Sequence, residues 1–244
     1  MLFTAQIAGL LAIALAVLIH GTGPEDAAIL FAIPAAVSGT LGLWAYYRGM
    51  AVGAMSVVAP IAGISALVPV TIGLATGDSP SAAQIAGIFV ALIGVGLASW
   101  ERQHGQRRVA AGVGLALLAA LGFGGYFVPM HAAGEADFWW ASLVFRTTSF
   151  VLIAIAALAV RRTVRLSRRD AAYVSAVGVG DTLGNVLYAA SASHGLVSVT
   201  SVLASLYPVV TVVLARIVLG ERVDRIQDFG IVATLAGVVL ISTG

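Results

Sequence analysis

The chain has 244 residues, 60% of them hydrophobic and 10% charged, with no cysteine and a formal net charge of +2. Its mean hydropathy is +1.02, whereas a soluble domain carries about 25% charged residues, so a soluble globular protein is excluded in favour of a polytopic membrane protein. Disulfides and thiolate metal sites are excluded with cysteine, and the basic residues, all arginine, lie in loops and form no basic face for nucleic acid.

A helix needs about 20 apolar residues to cross a hydrocarbon layer roughly 30 Å thick. In chain order the sequence predicts spans near 2–20, 27–47, 54–76, 82–100, 109–131, 138–160, 171–192, 197–219 and 226–243. The fold class is therefore all-α: a polytopic membrane bundle of about nine transmembrane helices. The first segment lacks a basic n-region and an A-x-A-like site, so it reads as a span rather than a signal peptide.

The loops divide by charge. HGTGPED (20–26), TGDSPS (76–81), HAAGEAD (131–137) and SHGLVS (193–198) contain no arginine. Arg48, ERQHGQRR (101–108), RRTVRLSRRD (161–170) and GERVDR (220–225) make up the alternate set. Cytoplasmic loops are enriched in Lys and Arg, so the second set is predicted to be cytoplasmic. The N terminus of this chain then lies inside and its C terminus outside, in a bacterial inner or plasma membrane.

The sequence also repeats. In VSGTLGLWAYYRGMAVGAMSV (37–57) and VGDTLGNVLYAASASHGLVSV (179–199), Val37, Thr40, Leu41, Gly42, Tyr46 and Gly53 recur in register as Val179, Thr182, Leu183, Gly184, Tyr188 and Gly195. QIAGIFVALIGVGLAS (84–99) likewise answers QDFGIVATLAGVVLIS (227–242), and Gly77-Asp78 answers Gly220-Glu221. A five-helix unit repeated in this way enters the membrane from opposite sides, the inverted-topology pattern of many secondary transporters. The first repeat, 1–100, holds four helices and the second, 109–244, five, joined by the basic linker 101–108. The counterpart of helix 109–131 is expected before Met1, so this chain is expected to lack the first helix of the pattern.

AYYRGMAVGAMSVVAP (45–60) and the run from NVLYAASASHG through SLYP to LGERVDRIQDFGIVATLAG (185–237) resemble the EamA-like branch of the drug/metabolite transporter superfamily. The resemblance covers the chain apart from that first helix, and departs from the pattern at Gly77-Asp78, where Gly-Glu is usual. It implies two inverted bundles around a central cavity, alternating access, and small polar or amphipathic metabolites or drugs as cargo. It also implies that Glu221, flanked by Arg216, forms a helix-end clamp at the Gly-Glu corner.

Asp181 lies near the middle of its span, where an ionisable group is a functional candidate because isolated charge there costs at least about 2.5–3.5 kcal/mol. Asp181, Asn185 and Tyr188 are spaced i, i+4, i+7 and share a helix face. In the first repeat those positions are Gly39, Leu43 and Tyr46, so only the tyrosine is shared. Arg146, about two turns into the preceding span, is at matching depth and is expected to pair with Asp181. The pair is either purely structural or a coupling site, in which a cargo carboxylate competes for Arg146 while Asp181 takes up a proton.

Pro60, Pro69 and Pro208 are expected to kink their helices, since proline removes a backbone donor. GFGGYFVP (122–129) and Gly87-x-x-x-Ala91 permit close helix approach. Tyr126 and Tyr207 are candidate cavity aromatics or interfacial residues, and Trp139 and Trp140 read as membrane-edge anchors. His20, His131 and His194 form no metal-ligand spacing, and the glycine-rich stretches match no phosphate loop, so neither metal nor cofactor is expected.

The favoured function is secondary-active transport, with export of small metabolites or drugs and a proton as coupling ion. The rivals are a non-transporting scaffold or partner subunit, and a membrane-embedded enzyme. The enzyme needs a nucleophile with a base or paired carboxylates, and Asp181 is the only acidic residue deep in a predicted span.

Overall fold

The computed structural model describes residues 2–24, 26–52, 58, 61–98, 109–160, 167–206, 209, 210, 213, 217 and 225–243, and none of these lies in a strand. The helices are α1 (Leu2–His20), α2 (Ala32–Val52), α3 (Leu67–Thr76), α4 (Ala82–Ala98), α5 (Val109–Val160), α6 (Arg168–Ser191), α7 (Val197–Ala204) and α8 (Arg225–Thr243). Short 3-10 turns at Ala27–Phe31, Ile64–Ala66 and Ala192–His194 precede α2, precede α3 and follow α6.

Residues 131–136, read as a loop from sequence, are helical. Ala132, Ala133 and Ala136 favour helix, and His131 Nε2 lies 3.9 Å from Glu135 Oε1 one turn on. The break in α5 comes at Asp137, whose backbone is extended (φ −164°, ψ 105°). Its Oδ1 accepts hydrogen bonds from the backbone N–H groups of Trp139 and Trp140 at 2.9 and 3.0 Å. Asp137 is thus the N-cap of a second limb, 138–160.

Two compact units form. The first comprises Met1–Thr40 and Val128–His194, the second Leu41–Phe127 and Gly195–Gly244, so each draws on both halves of the sequence.

In the first unit α1 packs along α6. Gly178 lies against the backbone of Ala5, and Gly9 against Thr182 Oγ1 and the Gly178 carbonyl, so no side chain separates the helices there. Contacts of 5 with 178 and 9 with 182 put the two helices parallel. Ile13, Val17 and Val186 form the adjoining core, with Phe138, Trp139 and Trp140 packed on it. Trp140 Nε1 donates to the Thr22 carbonyl at 2.8 Å, and the His20 and Trp139 rings are 5.7 Å apart.

In the second unit α4 packs along α8. A Cβ on Gly87 would come 2.7 Å from the Gly237 carbonyl, and one on Gly94 would come 2.8 Å from the Gly230 carbonyl. This crossed register makes the helices antiparallel, with the small residues allowing backbone contact. Ala66, Val70, Ile88, Ala91, Leu92, Val202 and Ile241 form the core beside it. Gly124, from the GFGGYFVP stretch, packs on Val68 and the Ser65 carbonyl.

The described part of the third span, 61–76, is helical throughout and passes through the 3-10 turn Ile64–Ala66 before α3 begins. Pro69, buried in the first turn of α3, has no N–H to offer the Ser65 carbonyl four residues back. At the far end Gly77 closes α3 in the left-handed region (φ 117°), a conformation glycine adopts freely. α7 covers the first part of the predicted span 197–219, and residues 209, 210 and 213 further along it are also helical. Pro60, Tyr207, Pro208, Arg216 and Glu221 lie outside the described residues.

The polarity of the molecule is inverted relative to a soluble protein. Leu18 is 77% exposed, and Leu15, Phe89, Leu158 and Phe229 are also exposed, while Ser142, Arg146, Ser198, Ser201 and Thr234 are buried. Water would penalise such an apolar exterior, and hydrocarbon does not. Among the described residues, Ala27–Val52 and Gly112–Ala159 are long and apolar enough to cross a membrane, and shorter apolar helices lie at Thr4–His20, Ile61–Thr76 and Ala82–Leu97.

Candidate functional site

The first unit holds a buried guanidinium. Arg146 lies in the 138–160 limb and is 2% exposed. Nη1 donates to Gln6 Oε1 of α1 at 2.9 Å, and Nη2 donates to Asp181 Oδ2 of α6 at 2.8 Å. The touching backbones of α1 and α6 make this possible: with glycine at 9 and 178, Gln6 and Asp181 both come within reach of one side chain. A Cβ on Gly9 would lie 3.3 Å from Arg146 Nε.

The ion pair is lopsided. The arginine is enclosed, whereas the Asp181 side chain is 59% exposed. Asn185 Nδ2 turns back to donate to the Asp181 carbonyl at 2.7 Å. Thr182 Oγ1 does the same to the Gly178 carbonyl at 2.8 Å. Tyr188, on the next turn, is buried in the first unit. Arg146 Nε and Ser142 Oγ, one turn apart on the same limb, are buried without a hydrogen-bond partner among the described residues.

Sequence reasoning named Arg146, Asp181, Asn185 and Tyr188, and all four fall in this unit. It passed over Gln6. The available signal was a lone amide in the otherwise apolar run from Ala5 to Ile19. Tyr46 and Tyr126 belong to the second unit, where the Tyr46 ring is 5.9 Å from Phe123 and the Tyr126 ring is edge-on to Phe127 at 5.2 Å. Tyr207 is outside the described residues.

The second unit has a carboxylate clamp that sequence reasoning also missed. Asp78 Oδ2 accepts the Ser198 backbone N–H at 2.9 Å, at the first turn of α7, and Asp78 N donates to the Gly73 carbonyl at 2.8 Å. A Cβ on Gly73 would come 2.5 Å from Asp78 Oδ2. Acidic groups favour helix N-termini, and the matching of Gly77-Asp78 to Gly220-Glu221 was the signal for this role. Among the described residues no group of three or more His, Asp or Glu is placed to hold a metal ion.

Residues 110–243, more than half of the chain, match the model of the EamA-like transporter family. The chain belongs to that family. An EamA-like transporter is an integral membrane protein, so the helices form a membrane bundle, and the apolar exterior faces lipid. The family is one of transporters rather than enzymes, which makes a small molecule and lipid its partners. No curated protein matches the chain. One solved structure, described only as "Crystal structure of protein", superposes with a TM-score of 0.79 over 99% of this chain and 87% of that one. Its identity is 17%, so the likeness is one of fold alone.

Proposed function

We propose that this EamA-like protein is a secondary-active carrier that exports small metabolites by alternating access, with Arg146 and Asp181 at its cargo and coupling site and a proton as coupling ion. The observation that carries this reading is the buried Arg146, held by Gln6 and the exposed Asp181 inside a membrane bundle. Buried charge in such a setting is expensive and marks a transport pathway. Asn185 and Tyr188 belong to the same site in this reading, while Tyr46, Tyr126 and Tyr207 are cavity aromatics.

The carrier reading includes about nine spans in two inverted repeats, 1–100 and 109–244, linked by 101–108. Contact reciprocity supports it. Gly87 and Gly94 of α4 are the repeat counterparts of Gly230 and Gly237 of α8, and Gly87 meets Gly237 while Gly94 meets Gly230. Such an exchange is what a two-fold axis produces. By the same correspondence Glu221 is a clamp like Asp78. Thr22 of the arginine-free segment 20–26 meets Trp140 at the start of the 138–160 limb, and Asp78 meets Ser198. The arginine bias of the alternate loops supports an inner-membrane topology with the N terminus of this chain inside and its C terminus outside.

Flux of labelled metabolite mixtures in proteoliposomes tests the reading. A carrier gives protein-dependent efflux that Arg146→Gln abolishes. Flux equal to protein-free vesicles would leave the scaffold reading in its place.

A further inference from the structure

Resting on the carrier reading, we propose that Arg146 is the receptor for the carboxylate of an anionic metabolite, that Asp181 stands in for that carboxylate in the unloaded carrier, and that cargo and one proton enter and leave together. A guanidinium has five N–H donors. Among the described residues Arg146 uses two, one on Gln6 and one on Asp181, and its Nε–H is buried without an acceptor. Leaving a buried donor unmet is costly, and the planar fork of arginine matches a carboxylate through two parallel hydrogen bonds. Asp181 offers a single oxygen, Oδ2. A cargo carboxylate can engage two donors, and the unbonded Ser142 hydroxyl lies one turn away.

Exposure decides which group moves. Arg146 and Gln6 are 2% and 8% exposed and stay fixed between helices, whereas the Asp181 side chain, at 59%, is free to turn away. Charge then sets the coupling. Arg146 with ionised Asp181 sums to zero. A cargo carboxylate added beside ionised Asp181 leaves the site at minus one, and a proton added to Asp181 without cargo leaves it at plus one. Only the doubly loaded state, with protonated Asp181 and a cargo carboxylate on Arg146, returns to zero. Uncompensated charge in an apolar interior is the costly condition, so the carrier passes between the two neutral states. On loading, one proton from solvent goes to an Asp181 oxygen as the cargo carboxylate replaces it on Nη2, and unloading reverses this. No covalent bond of the cargo changes.

Few other titratable groups face the pair. α1 brings Gln6 and, at its far end, His20; residues 27–40 bring none. Around the 138–160 limb, His131 and Glu135 lie beside one another and Asp137 caps the helix start. α6 carries Arg168, Arg169, Asp170 and Tyr173 within its first two turns, and Tyr188 two turns beyond Asp181. Cargo and proton therefore travel in the same direction, without net charge for a monocarboxylate. Export runs on the cargo's own accumulation inside the cell.

Formate, ionised throughout the range used, serves as probe for the full-length protein in detergent. Its apparent affinity is read from the shift of the thermal midpoint between about pH 5 and about pH 8, with chloride as control. With one linked proton the wild-type affinity falls about tenfold per pH unit. In Asp181→Asn that slope vanishes and formate binds at every pH; in Arg146→Gln the formate effect is lost. If Arg146→Gln fails to fold, the comparison of wild type with Asp181→Asn decides alone. The proposal is overturned by a wild-type affinity that is flat or rises with pH, by a slope that survives in Asp181→Asn, or by no formate effect in wild type. Protein-dependent flux without proton linkage overturns this inference and leaves the carrier reading standing. Formate binding without any flux does the reverse.

Discussion

In the first unit α1 and α6 touch backbone to backbone at Ala5 and Gly178, and then set Gln6 and Asp181 on a buried guanidinium. In the second, α4 and α8 touch at Gly87 and Gly237, with Ala91 and Ile241 beside them, and the seam carries Gly94, Gly230 and the hydroxyl of Thr234, which donates to the Gly230 carbonyl at 2.8 Å. Both seams use small residues to bring helices together where lipid gives no hydrophobic drive for association. The second seam repeats its own contacts in reverse, while the first carries Asp181 and Asn185 where the matching helix has Gly39 and Leu43. In the proposed carrier the symmetric seam serves assembly, and the seam with charge inserted is where the molecule acts.

Four substitutions sharpen that contrast. The largest effect belongs to the touching backbones themselves: Gly178→Leu and Gly237→Leu each force helices apart and cost about 3 kcal/mol or more. Both variants should lose the monodisperse peak on size exclusion in detergent; a well-folded Gly178→Leu would show that the first seam is looser than its contacts imply. Next comes Gln6→Leu, which takes the acceptor from Nη1 and costs about 2 kcal/mol, as for a hydrogen bond to a charged group. Thermal unfolding reads this loss, and formate affinity should change with it. Smallest is Asp78→Ala in the second unit, which removes the clamp on the first turn of α7 and costs about 1 kcal/mol. It should lower the thermal midpoint and leave the formate response untouched. A formate response that changed with Asp78→Ala would end the division of labour drawn here.

Much of this was legible in the sequence. Hydropathy located the helices, because each must hide its backbone from lipid with an apolar run of fixed length. Asp137 shows the limit: composition located a break between the spans 109–131 and 138–160, yet its residue depended on a carboxylate reaching two particular N–H groups. Depth along the helix brought Arg146 and Asp181 to the same level, but depth is one coordinate, and the 2.8 Å contact required helix rotation and crossing as well. Gln6 was hidden for the same reason. A single amide in an apolar run says nothing until a neighbouring helix presents a cation.

The sequence by itself determined a membrane bundle of helices, since composition, length and periodicity are one-dimensional quantities that lipid thickness and backbone hydrogen bonding translate directly into spans. The tertiary structure alone decided which faces meet: that Gly9 and Gly178 let α1 lie on α6, that Gln6 and Asp181 share one arginine, and that Asp78 reaches Ser198. Those contacts depend on how small residues far apart in the chain fit together, and steric fit is a property of surfaces rather than of strings.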